Sequence, residues 1–122
     1  MDRSREYRQM VSDSRIQKVW FPKEGDLIFW ETSESIQFIQ TPNSYPRTRC
    51  IYIPSQSWWQ IKLKGKIMLL KTPDGNFWVL SVVYDYKIRD FDGSTPELTY
   101  VQAFMWVKYG EKWNNNKWVK IK

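Results

Sequence analysis

The apolar positions of this chain fall into short blocks separated by turn residues. Residues 3–19 are mostly polar, with Tyr7, Met10 and Val11 at helical spacing and Ile16 and Val19 continuing the pattern less regularly. This predicts an amphipathic N-terminal helix. Trp20-Phe21-Pro22 ends it, because proline disfavours helical backbone in the residue before it. Lys23-Glu24-Gly25-Asp26 reads as a turn. Leu27–Trp30 and Ile36–Ile39 read as strands, 41–46 as a loop and 48–53 as a third strand.

Pro54-Ser55 opens a short helix or turn carrying Trp58, Trp59, Ile61 and Leu63, with Gly65 at its end. Ile61-Lys62-Leu63-Lys64 also alternates as a strand would. Ile67–Lys71 and Phe77–Tyr84 flank Thr72-Pro73-Asp74-Gly75-Asn76, a strong hairpin signal. The Asp-Gly at 92–93 reads as a turn, and Ser94-Thr95-Pro96-Glu97 as a capping box opening a helix over about 95–109. Leu98, Val101 and Met105 line one face of that helix and Tyr100, Phe104 and Val107 another, which predicts deep packing. Gly110 stops it. The tail, 112–119, reads as a small hairpin with an Asn-rich turn. The expected class is α+β: a small antiparallel sheet packed against a C-terminal helix, with an N-terminal amphipathic helix. The 122 residues are expected to form a single domain, 1–122.

Composition removes much chemistry. The chain has no histidine, so it lacks the side chain most used for proton transfer near neutral pH and the usual base for a Ser or Cys nucleophile. One cysteine, Cys50, rules out an internal disulfide and, without histidine, leaves no zinc or redox-metal set. In its β-type run it reads as a buried structural thiol. The five glycines are scattered and form no phosphate loop. Asp85, Asp90, Asp92 and Glu97 are the best carboxylate cluster, but the capping role of Ser94–Glu97 outweighs a calcium or magnesium role. No cofactor is expected. No apolar run is long enough to span a bilayer, and no signal segment is evident, so a cytoplasmic protein without membrane contact is expected.

What remains points to binding rather than catalysis. The formal charge is +6, and aromatic residues make up 17% of the chain, with eight Trp. A charge of this size also suits an ordinary solvated surface. Eight indoles exceed what a small core needs. Basic and aromatic residues interleave twice: Arg47, Arg49, Trp58, Trp59, Lys62, Lys64 and Lys66, then Lys108, Lys112, Trp113, Lys117, Trp118, Lys120 and Lys122. Cations would neutralise phosphates while indoles stack bases. The expected binding residues are Arg47, Arg49, Trp58, Trp59, Lys62, Lys64, Lys66, Lys112, Trp113, Lys117 and Trp118, and the expected partner is nucleic acid or a nucleotide. Two alternatives stand beside this reading. Exposed Trp, Tyr and Arg also anchor protein interfaces, as in an inhibitor of a host enzyme or defence complex. A carboxylate enzyme would depend on Asp92. Trp113 and Trp118 also suit a cross-strand hairpin pair. Trp58 and Trp59, being adjacent, cannot both face one core, so one should be partly exposed.

Three stretches carry a resemblance. They are Tyr7-Arg8-Gln9-Met10 through Ile16-Gln17-Lys18-Val19-Trp20-Phe21-Pro22-Lys23-Glu24-Gly25-Asp26, then Ile51-Tyr52-Ile53-Pro54-Ser55-Gln56, then Tyr109-Gly110-Glu111-Lys112-Trp113 through Trp118-Val119. Their order resembles a group of small phage and prophage proteins of Gram-positive bacteria. The resemblance implies a phage accessory protein in a bacterial cytoplasm and transfers no catalytic or binding residue.

Overall fold

The computed structural model describes residues 2–39, 50–73 and 75–121. Among these it contains four helices and eight strands, in small antiparallel sheets, and the class is α+β. The chain divides into two compact units, Arg3–Pro54 and a second made of Met1–Asp2 with Ser55–Lys122.

In the first unit the expected single helix over 3–19 is two short ones, α1 (Arg5–Val11) and α2 (Ser14–Gln17). The break is chemical. The Ser12 hydroxyl donates back to the Gln9 carbonyl, and Asp13 caps α2 by accepting from the Arg15 N–H. Strands β1 (Leu27–Trp30), β2 (Ser35–Phe38) and β3 (Cys50–Ile53) form an antiparallel sheet in the order β2-β1-β3. Cys50 is buried, as a structural thiol should be. The expected loop 41–46 and the start of the third strand lie outside the described residues.

The Ile-Gln, Trp-x-Pro and Gly-Asp motif knits this unit together. Ile16 is fully buried. The Gln17 side-chain amide donates to the carbonyls of Val11 and Tyr52, while its oxygen accepts from the Tyr52 N–H. One side chain thereby ties α1 and α2 to β3. Trp20 stacks on Tyr52 with ring centroids 4.9 Å apart and planes within 2°. Its indole N–H donates to Asp26 Oδ2, which also accepts from the Lys23 N–H, so this buried carboxylate holds its own turn closed.

In the second unit α3 (Gln56–Lys62) is a helix, which resolves the ambiguity at 61–64. Trp59 and Leu63, one turn apart, are both buried. Strands β4 (Ile67–Lys71), β5 (Trp78–Tyr84) and β6 (Lys87–Gly93) form a meander. The hairpin expected between 67–71 and 77–84 is present. The turn expected at Asp92-Gly93 is not there: both residues belong to β6, and the chain reverses at Asp85-Tyr86. Pairing against β5 overrides the local turn chemistry. Helix α4 (Pro96–Tyr109) packs on β5 and β6 and against α3. Its cap is Thr95 rather than Ser94, with Pro96 in the first turn. Glu97 accepts from the Asp2 N–H instead of closing a capping box. Leu98, Tyr100, Val101, Phe104 and Met105 are all buried, as their spread around the helix predicts. Gly110 ends α4 in the left-handed conformation. A final hairpin, β7 (Glu111–Asn114) and β8 (Lys117–Lys120), turns through Asn115-Asn116, both at positive φ.

Candidate nucleic-acid interface

Two of the eight indoles, Trp20 and Trp59, are buried. The other six are half-exposed. The surplus of aromatic area therefore does reach the surface, and five of these six indoles belong to the second unit. That unit also carries eleven basic against seven acidic side chains.

On α3, Trp58 meets Trp59 edge to face at 4.8 Å, and Trp59 continues inward onto Phe104 at 5.3 Å. The buried ring thus supports the outer one. Lys62, one turn on, places its ammonium 5.3 Å from the Trp58 ring centroid, within cation–π range. Trp58 and Lys62 are brought together as expected. Trp59 belongs to the core and leaves the set of contact residues. Lys64 is exposed nearby in sequence. Arg47 and Arg49 lie outside the described residues.

The C-terminal hairpin divides the second expected cluster between two faces. Trp113 and Trp118 are direct cross-strand partners with rings 5.0 Å apart. Strand alternation puts Glu111 and Lys120 on their face, and Lys112 and Lys117 on the opposite one. Lys120 is also engaged, donating to the Tyr109 carbonyl at 2.6 Å and lying 3.7 Å from Glu111. The indole pair fastens a hairpin, and Lys112 and Lys117, expected beside it, lie on the other face.

The register of β6 creates a surface that the sequence did not suggest. Lys87, Arg89 and Phe91 alternate onto one face, with Tyr84 opposite Lys87. Ile88, Asp90 and Asp92 take the other. Cations and carboxylates of one strand are thereby sorted to opposite sides. On the cationic side the Lys66 ammonium lies 5.3 Å from the Tyr84 ring, Tyr84 meets Trp106 of α4 at 5.8 Å, Trp106 meets Phe91 at 5.7 Å, and the Arg89 guanidinium lies 5.8 Å from Phe91. Among the described residues, Lys62, Lys66, Lys87 and Arg89 form no ion pair. At the tip Tyr86 is fully exposed and sits at φ 60°. A large residue in the left-handed region is unfavourable, and its ring gains nothing from burial here. The only sequence cue was Tyr84 and Tyr86 two apart beside Lys87, visible once 85–86 is known to be the turn.

The described residues contain no group of three His, Cys, Asp or Glu placed to hold a metal ion. No described helix is long and apolar enough to cross a membrane. Comparison of the chain with protein-family models, with curated proteins and with solved structures gives no match.

Proposed function

We propose that this is a non-enzymatic binding protein whose second unit takes single-stranded nucleic acid, or a nucleotide as its smallest piece, on the Lys66–Tyr84–Trp106 surface. Lys66, Lys87 and Arg89 face phosphates. Tyr84 and Tyr86 offer rings to bases, and Trp58 with Lys62 adds a second station of the same kind. The observation that carries this reading is Tyr86, an aromatic ring held wholly in solvent on unfavourable backbone, next in the chain to Lys87. Stacking contributes about 1–3 kcal/mol per base and tolerates any sequence. The test is fluorescence anisotropy of a labelled oligothymidine at low salt, alongside a nucleotide panel. Binding weakened by Tyr86→Ala supports the proposal; absence of binding to every probe defeats it.

A second reading has its own support. On the opposite face of the same sheet, Leu69 is 61% and Ile88 75% exposed, with Val79 and Val83 half-exposed beside them. Contiguous apolar area of this kind marks protein contacts and favours a host-protein inhibitor. Capture of a host protein that Ile88→Asp abolishes would support this reading over the first.

A further inference from the structure

The first unit contains a groove of about 410 Å³ between α1 and the sheet. Phe29 and its cross-strand neighbour Ile51 contribute apolar surface. Arg5 and Arg8, one turn apart on α1, supply positive charge, and Glu31 and Glu34, in the turn joining β1 to β2, supply negative charge. Opposite charges that share a small groove would normally close on each other. Among the described residues no ion pair joins these arginines to these glutamates.

Arg8 is the most informative of the four. Its guanidinium carbon lies 4.1 Å from the centroid of Phe29. Stacking engages the face of the guanidinium and leaves its in-plane N–H donors for an oxyanion. Its Nε is buried and has no hydrogen-bond partner among the described residues. A buried, charged donor left unmatched is costly, and such groups are rare enough to require an explanation. Across the groove Glu34 stands at φ 52°, where glycine or asparagine would be easier. The groove thus keeps two guanidiniums and two carboxylates apart over an apolar floor, at a volume suited to a small ligand.

We infer that this groove binds a small zwitterion, with its carboxylate on Arg5 and Arg8 and its cationic end on Glu31 and Glu34. A free basic amino acid has this chemistry, and so does a basic residue at the C-terminus of a short peptide. The groove shares no residue with the proposed nucleic-acid surface and does not depend on it.

Isothermal titration of the full chain at low salt tests this with L-arginine, agmatine (which lacks the carboxylate), acetate, inorganic phosphate and the dipeptide Gly-Arg. L-Arginine or Gly-Arg should bind at least about ten-fold more tightly than agmatine, acetate or phosphate, and whichever of the two binds better identifies the source. Arg8→Lys keeps the charge but loses the flat fork, and should weaken binding about ten-fold. Arg5→Gln and Glu31→Gln, at exposed positions, should each weaken it without altering the circular dichroism spectrum. Silence from every probe overturns the proposal. So does phosphate, acetate or agmatine binding as well as the better of L-arginine and Gly-Arg, or affinity that survives both Arg5→Gln and Glu31→Gln.

Discussion

The Lys62 ammonium lies 5.3 Å from the Trp58 ring, one helical turn away, while the neighbouring Trp59 is sealed in the core. Adjacent indoles therefore have separable jobs. Trp59→Ala should lower unfolding stability by about 3–5 kcal/mol. Trp58→Ala should cost about 1 kcal/mol or less of stability, yet reduce oligonucleotide affinity by about 1–3 kcal/mol. Urea denaturation and anisotropy on the same two variants check both halves.

Trp113 and Trp118 face each other across the C-terminal hairpin, 5.0 Å apart. A double-mutant cycle to alanine should return a coupling of about 0.5–1.5 kcal/mol. Because Lys112 and Lys117 point the other way, the double variant should bind oligonucleotide as the parent does, provided measurements are made well below its unfolding midpoint.

Asp13 gives a pH signature. Burial pushes its carboxyl pKa up, but hydrogen bonds from the Arg15 side chain and backbone N–H, together with the Arg15 charge, outweigh burial and hold it below the ordinary 3.8. A group lowered in the folded state adds stability above its unfolded pKa and loses it as pH falls through the folded one. Asparagine caps a helix about as well as aspartate. Asp13→Asn should therefore be less stable than the parent near neutral pH, and the gap should narrow below about pH 3.8. Thermal melts across that range measure the gap directly; a constant gap would count against the Arg15 contact.

Gly93 is needed for close approach rather than for unusual backbone. A methyl group there would stand 2.7 Å from Leu98 Cβ, where α4 begins its packing on β6. Neither atom is the flexible end of a long side chain. Gly93→Ala should cost about 1–3 kcal/mol by overpacking, read as a lower denaturation midpoint with an unchanged slope.

Much of the fold was readable where local chemistry and tertiary structure agree. Pro73 and Gly75 between two β-rich runs announced the β4–β5 hairpin, and apolar residues all around 96–109 announced a helix packed deeply. Local signals failed where pairing or capping competed with them. Asp90, Asp92 and Gly93 look like a turn, yet Phe91 fills the core opposite Leu80 and draws them into β6. Ser12 and Asp13 are both stop and start signals, which a search for one long periodicity passes over. The site was only partly legible for a related reason. Helical spacing joined Trp58 to Lys62. In the tail, Lys112 and Trp113 are neighbours in sequence, and neighbours on a strand face opposite ways. The Tyr84, Lys87 and Arg89 face needed the register, which the sequence alone did not fix.

The most direct measurement of the central proposal is the salt dependence of oligothymidine binding, comparing the parent with a variant carrying Lys66→Gln, Lys87→Gln and Arg89→Gln. Three phosphate contacts on a single strand predict a slope of log affinity against log salt near about −2 for the parent, flattening towards zero in the variant. The same slope and affinity in both proteins, or no binding by the parent at low salt, would contradict it.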